Sequence, residues 1–119
     1  MESLVSMLDT VETYDKENIL IDIYQNLLLN KNNLNKAQTI FLVLSEIRDI
    51  SLSDGSQVYF DEWGKSPIDV NVAKNYVSAD ICKMLEKLNQ KLYNDVDKWI
   101  IENEWKFNDE LADIVKKSF

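Results

Sequence analysis

Histidine is absent from this 119-residue chain, which has only two glycines, one proline and one cysteine. Without histidine the chain lacks the commonest general base and the commonest metal ligand of proteins. So few turn-forming residues argue against an all-β fold, which needs many tight turns. The single Cys82 excludes an internal disulfide and a multi-cysteine metal site, and it favours a reducing, cytoplasmic setting.

Catalytic signatures are also missing. No serine lies in a Gly-x-Ser-x-Gly elbow, no glycine-rich loop leads into Lys-Ser/Thr, and no aspartates extend into a calcium-binding loop. Neighbouring acids form the pairs Asp61/Glu62, Asp95/Asp97 and Glu102/Glu104. Because positions one or two apart on a helix do not face each other, these pairs indicate solvated faces. We therefore expect a non-enzyme without cofactor or metal; a carboxylate-dependent enzyme is the weakest alternative.

The N-terminal sequence and the hydropathy pattern exclude two further classes. The segment MESLVSMLDTVETYD carries acids where a secretory leader needs a basic start. No apolar run approaches the roughly 20 residues needed to cross a bilayer. The expected location is the cytoplasm, without membrane contact.

A chain of this length predicts one domain over residues 1–119. Its most regular pattern is a four-residue repeat of apolar pairs that begins at Ile19 and Leu20. The run TIFLVL, residues 39–44, fits either a buried strand or a helix by periodicity alone. The apolar spacing from Ala37 to Ile47 and an N-cap at Asn35 favour a helix over about residues 36–50. We expect an all-α fold: an irregular bundle of about five to seven helices around that central buried helix.

Local signals predict where the other helices begin and end. Gly55 in the Ser-Asp-Gly-Ser turn is suited to a positive φ, and a short helix is expected over residues 57–63. Ser66 and Pro67 resemble an N-cap and first helical position, with a helix over 70–93 that is interrupted near Ser78. Asn108 is suited to cap the last helix.

Negative charge is the strongest remaining signal, with a net charge of −8. Such a field repels nucleic acid and anionic membranes, and it attracts a basic protein most strongly at low salt. The alternative is that the acids serve only solubility. If they are functional, the candidate partner-binding residues are Asp9, Glu12, Asp15, Glu17, Asp61, Glu62, Asp69, Asp95, Asp97, Glu102 and Glu104.

Two aromatic residues near the C-terminus, Trp105 and Phe107, lie in the polar segment ENEWKFNDE. They either close the core or form an exposed contact for a partner or a second copy, since tryptophan and tyrosine are enriched at interface hot spots. Both alternatives stay open at this point.

The segment LSDGSQVYFDE, residues 52–62, resembles a motif of the bacterial family catalogued as domain of unknown function 4375. That motif follows an apolar helix and has the form Asn-Gly-Gly-Phe-x-Gln-Tyr-Phe-x-Asn. Gly55, Tyr59 and Phe60 match it, and the departures are Asp54, Ser56, Val58 and Glu62. The order of elements over residues 15–93 is also similar.

The resemblance implies an all-helical fold and dimerisation, and one member of that family binds a transcription factor in place of DNA. It implies a structural role for Asp54, Gly55, Tyr59 and Phe60, in which the glycine turns the chain and the Tyr-Phe pair packs on the central helix. The leading hypothesis is thus an acidic binding protein for a basic partner, either a DNA-binding regulator or a toxin nuclease. The second hypothesis is a helical oligomerisation or scaffold module, such as a homodimer.

Overall fold

A computed structural model describes the backbone of residues 2–8 and 13–119, and the side chains of residues 4–8 and 15–119. Within these ranges the protein is all-α, as predicted, and contains no strand. The described residues form eight α-helices, more than the five to seven expected, which are joined by loops and one 3₁₀ turn at Lys31–Asn33. They are α1 Glu2–Met7, α2 Thr13–Leu29, α3 Lys36–Ser53, α4 Gln57–Asp61, α5 Val70–Ala73, α6 Ala79–Asn89, α7 Tyr93–Glu102 and α8 Glu104–Ser118. No helix in the described ranges is long and apolar enough to span a bilayer.

Helix α3 resolves the ambiguity of the TIFLVL run in favour of a helix. At its start the Gln38 amide donates to Asn35 Oδ1 at 2.8 Å, and the Asn35 amide donates to Gln38 Oε1 at 3.0 Å. This reciprocal pair is a capping box, which satisfies two amides that the helix itself leaves unpaired. The predicted apolar face is buried at Ala37, Phe41, Leu44 and Ile47.

The chain divides into two compact units. This division does not test the prediction of a single domain over residues 1–119. The first unit comprises Met1–Ser45 and Trp105–Phe119. In it α2 and α8 are joined by an ion pair between Lys16 Nζ and Asp109 Oδ1 at 3.0 Å. Phe41 and Phe119 meet edge to face, with ring centroids 5.5 Å apart. Helix α8 contributes the buried side chains Phe107, Leu111, Ala112, Ile114 and Val115.

The second unit, Glu46–Glu104, is built around the packing of α6 on α7. The buried residues of α6 are Ile81, Met84, Leu85 and Leu88, one helical face. Its N-cap is Ser78, whose hydroxyl accepts from the Ile81 amide at 3.4 Å, so the predicted interruption at this position is confirmed. Leu92 is exposed because α6 ends at Asn89 and Lys91 takes a positive φ of 62°.

The predicted helix start at Ser66 and Pro67 is wrong. Helix α5 begins at Val70, and Asp69 is its N-cap, with its carboxylate accepting from the Asn71 amide at 3.0 Å. The physical reason lies at Ile68, whose amide donates to Asn89 Oδ1 at 3.1 Å and whose carbonyl accepts from Asn89 Nδ2 at 2.7 Å. Both backbone groups of Ile68 are therefore used by the end of α6, and this tertiary contact overrides the local capping signal.

The predicted cap at Asn108 is also wrong. Helix α8 already begins at Glu104, after a break at Asn103. Asn108 lies inside α8 with only 1% of its surface exposed, and its Nδ2 has no hydrogen-bond partner among the described residues. The break forms because the Asn103 side chain donates to the Trp99 carbonyl at 2.8 Å and satisfies the end of α7.

The capping box gives a direct test of how α3 begins. Asn35→Ala removes the acceptor for the Gln38 amide and should lower the free energy of unfolding by about 1 kcal/mol. Asn32→Ala is the matched control, because Asn32 is an exposed residue of the 3₁₀ turn with no side-chain hydrogen bond among the described residues. Urea unfolding followed by circular dichroism measures both. Equal stability of the two variants would contradict the assignment of the cap.

Candidate acidic binding site

The site is built on the turn that links α3 to α4. The amides of Asp54 and Gly55 both donate to the Ile50 carbonyl, at 2.9 and 2.8 Å, and end α3. Gly55 has a φ of 91°, the positive value expected from the sequence, which side-chain-bearing residues rarely adopt. Ser56 follows as the fully buried N-cap residue of α4. The turn therefore reverses the chain tightly and directs the short helix α4.

Helix α4 is docked onto the first turn of α7. The Ser56 amide donates to Asp97 Oδ1 at 2.9 Å, and the Ser56 hydroxyl donates to the Tyr93 carbonyl at 3.4 Å. One turn further along α4, the Phe60 ring lies 6.4 Å from the Tyr93 ring, centroid to centroid. These contacts join segments about 40 residues apart in the sequence.

Tyr59 anchors α4 from its other side. Only 2% of its surface is exposed, and its ring lies 5.2 Å from the ring of Phe60 and 6.3 Å from that of Trp63. Burial, and then the negative charge of Glu46, raise the pKa of the Tyr59 phenol to about 12.

The docking of α4 on α7 brings the short helix that carries Asp61 to the first turn of α7, which carries Tyr93 and Asp95. Asp61 is the last residue of α4 and accepts from Gln57 Nε2 at 3.0 Å. Gln57, Tyr93 and Asp95 line an open depression of about 350 Å³. Burial, and then the charge of Asp61, raise the pKa of Tyr93. We call the set Asp61, Gln57, Tyr93 and Asp95 the Tyr93 face.

The carboxylates of the Tyr93 face are exposed and are not neutralised by an ion pair within the described chain. No lysine or arginine nitrogen described by the structure lies within 4.0 Å of Asp61 or Asp95. Lys91 lines the same depression and is the one cation among its lining residues. An incoming cation would thus meet two hydrated carboxylates and the ring of Tyr93, whose π face also attracts cations.

Three other predicted acids have internal partners in the second unit. Asp97 is half-buried and accepts from Ser56, as described above. Glu104 accepts from Arg48 Nη2 at 3.2 Å, and the same guanidinium, only 7% exposed, donates to Asp49 at 3.1 Å. Asp69 caps α5. These carboxylates stabilise the fold, so they are poorer candidates for contact with a partner.

The remaining predicted acids do not join the Tyr93 face. Glu62 follows α4 and Glu102 ends α7, and both are exposed. Asp15 and Glu17 are half-buried in the first two turns of α2, in the first unit. Asp9 and Glu12 lie outside the described residues. The predicted set is therefore distributed over several parts of the chain.

The structure separates the two aromatic candidates near the C-terminus. Phe107 is fully buried and belongs to the core, whereas Trp105 is 56% exposed on the first turn of α8. The sequence left open whether these two residues close the core or form an exposed contact. Phe107 closes the core, and of the two only Trp105 is accessible to another molecule.

Sequence reasoning missed Tyr93 and Gln57 as members of a site, as well as the buried Arg48. Only the spacing of Gln57 and Asp61, four apart and thus adjacent on a helix, was a local signal. The approach of α4 to Tyr93 depends on tertiary docking. Within the described residues no cluster of three or more cysteine, aspartate or glutamate side chains has a metal-binding arrangement.

The raised pKa of Tyr59 predicts how stability changes at alkaline pH. The folded protein holds the phenolic proton up to a pKa of about 12, against 10.0 for an ordinary tyrosine. The stability that comes from keeping the Tyr59 phenol protonated is therefore fully present below pH 10.0, and it is lost as the pH rises through about 12. In Tyr59→Phe, which cannot ionise, the free energy of unfolding should fall less steeply over this range. Urea unfolding at several pH values measures the slope; the half-buried Tyr76→Phe is the control, and equal slopes in all three proteins would refute the prediction.

Comparison of the chain with protein-family models, with curated proteins and with solved structures found no match. The Tyr93 face is the candidate site of this chain, with one exposed acid on α4 and one on α7 where Phe60 lies near Tyr93.

Proposed function

We propose that this chain is a non-enzymatic, acidic protein-binding domain that docks on a basic partner through the Tyr93 face. The observation that carries the proposal is the docking of α4 on α7, with the Phe60 ring 6.4 Å from the Tyr93 ring, while the exposed Asp61 and Asp95 of these two helices have no described cation paired to either carboxylate. The second unit contains twelve acids and seven bases, a net charge of −5, so the surrounding field also favours a cationic ligand.

The chemistry of this face fits the arginine and lysine side chains of a nucleic-acid-binding protein. Arginine donates to carboxylates and stacks on aromatic rings, so Tyr93 and its two acids offer both kinds of contact. The partner in this proposal is a DNA-binding regulator or a toxin nuclease, and the complex forms in the cytoplasm. The resemblance of residues 52–62 to domain of unknown function 4375 supports the narrower proposal of a bacterial DNA mimic. In that case a DNA duplex should displace the domain from its partner.

A labelled oligoarginine peptide provides the first test. Asp61→Asn and Asp95→Asn should each weaken its binding about two- to fivefold at low salt, the usual effect of one exposed charge pair, and the double variant about tenfold. Raising the ionic strength from about 0.05 M to 0.3 M should weaken binding to the wild type strongly. Fluorescence anisotropy measures each affinity.

Glu102→Gln is the matched control for this test. It removes one exposed carboxylate from the same helix, α7, but outside the Tyr93 face. Its affinity should stay within about twofold of the wild type, as expected for a more distant screened charge. Absence of wild-type binding at low salt would refute the proposed function. Equal losses in Glu102→Gln and Asp61→Asn would show that overall charge, rather than this face, binds the peptide.

A second candidate function, helical oligomerisation, is favoured by the exposed apolar side chains of the first unit. Trp105 on α8 is 56% exposed, and α2 carries the exposed residues Ile21, Leu28 and Leu29, the last with 83% of its surface accessible. Tryptophan is among the residues most enriched at interface hot spots. This candidate would make the chain a homodimer or scaffold module.

Sedimentation velocity tests the second candidate. If the chain forms a dimer through Trp105, Trp105→Ala should raise the dimer dissociation constant at least about tenfold, the loss typical of a hot-spot residue. Trp63→Ala is the matched control, because Trp63 is 43% exposed but belongs to the second unit. A wild-type protein that stays monomeric at about 100 μM would exclude oligomerisation as the function, since specific dimers usually form well below that concentration.

A further inference from the structure

Asp95 and Asp97 are two aspartates of α7 that lie two positions apart in the sequence but have different surroundings. Asp95 is exposed and lines the depression beside Tyr93. Asp97 is half-buried and faces the turn before α4. The sequence predicted the same role for both, and the structure gives them different contacts.

One oxygen of the Asp97 carboxylate is hydrogen-bonded to the turn, and the other faces Gly55. Oδ1 accepts from the Ser56 amide at 2.9 Å. Oδ2 lies 3.4 Å from the point where a Cβ on Gly55 would be, at the lower edge of ordinary van der Waals contact. Glycine at this position thus allows both the backbone φ of 91° and the close approach of the carboxylate.

This contact lies at the opposite end of α4 from Asp61. Ser56 precedes the helix and Asp61 is its last residue, so the separation along the axis is only about 8 Å at 1.5 Å per residue. A helix this short has little stability of its own and depends on its tertiary contacts for position. What holds Ser56 therefore also determines where Gln57 and Asp61 lie relative to Tyr93.

We propose that Asp97 is a positioning residue, which holds α4 on α7 through the Ser56 amide so that Asp61 stands beside Tyr93 and Asp95 for the partner's cationic side chain. The inference rests on the proposed function, whose Tyr93 face it explains. It assigns to Asp97 a hydrogen-bond acceptor role, in which the negative charge matters little. Asp61 and Asp95 act by charge.

Two substitutions at position 97 separate these roles. Asp97→Asn keeps the acceptor oxygen and removes the charge, so its affinity for the oligoarginine peptide should stay within about twofold of the wild type. Asp97→Ala removes the acceptor, and its affinity should fall at least as much as that of Asp61→Asn, about two- to fivefold. Circular dichroism and urea unfolding identify the conditions in which each variant is folded, and affinities are measured there.

Glycine substitutions test the same contact from the side of the turn without a change of charge. Gly55→Ala places a Cβ against Asp97 Oδ2 at a strained φ, and it should weaken peptide binding about two- to fivefold through displacement of α4. Gly64→Ala is the matched control, because Gly64 also has a positive φ, of 64°, but its Cβ would meet no atom within 4 Å. The control should bind like the wild type.

A spectroscopic readout makes the test independent of peptide binding. The charge of Asp61 helps to raise the pKa of Tyr93, so loss of the positioning contact should move that pKa back toward its ordinary value. The difference in phenolate absorbance between each protein and its Tyr93→Phe counterpart reports it. In Asp97→Ala the Tyr93 phenol should ionise at a lower pH than in the wild type. In Asp97→Asn it should ionise at the same pH as in the wild type.

The outcomes distinguish the inference from the proposed function. If Asp97→Asn loses as much affinity as Asp61→Asn, Asp97 acts by charge and the inference is overturned. It is equally overturned if Asp97→Ala leaves both the affinity and the titration of Tyr93 unchanged. If the wild type binds no peptide, the proposed function fails, and the Tyr93 titration alone supports or overturns the positioning role.

Discussion

The hydrogen bond from the Ser56 amide to the Asp97 carboxylate is the contact on which the arrangement of the candidate site depends. It joins the turn after α3 to the first turns of α7, and it leaves the short helix α4 with a defined position. Tyr59 and Phe60 add apolar contacts on two sides of α4. Without this docking, Asp61 and Asp95 would be two unrelated surface acids.

The acidic residues of the second unit therefore fall into two groups, those that accept hydrogen bonds within the fold and those that are exposed. Asp97, Asp69 and Glu104 accept hydrogen bonds within the second unit, from Ser56, Asn71 and Arg48. Asp61 and Asp95 are exposed and are not paired with a described cation. Hydrated carboxylates attract a basic protein over a distance set by the Debye length, so they favour fast, salt-sensitive association. A net charge of −8 alone would not distinguish these two groups.

Much of the fold was predictable because its determinants are local. The Asn35 cap, the positive φ of Gly55 and the helix break at Ser78 follow from side-chain chemistry within four residues, and the structure confirms each. The predicted helix start at Pro67 failed for a nonlocal reason, because Asn89 hydrogen-bonds both backbone groups of Ile68. The predicted cap at Asn108 failed because Asn103 ends α7 and α8 begins directly after it.

The candidate site was less predictable than the fold for the same reason. Asp61 and Asp95 were named as acids, but their separation in the sequence gave no sign that α4 docks on α7. The roles of Asp95 and Asp97 differ only through that docking. Tyr93 was not singled out, because its importance arises from a tertiary contact with Phe60 and from the charge of Asp61.

The most direct test of the account is a two-dimensional ¹H–¹⁵N NMR titration of the wild-type chain with the oligoarginine peptide at low salt. The account predicts that the largest amide shifts occur in α4 and in the first turn of α7, around Asp61, Tyr93 and Asp95. Shifts spread evenly over the acidic residues of both units, or centred on residues distant from the Tyr93 face, would contradict it.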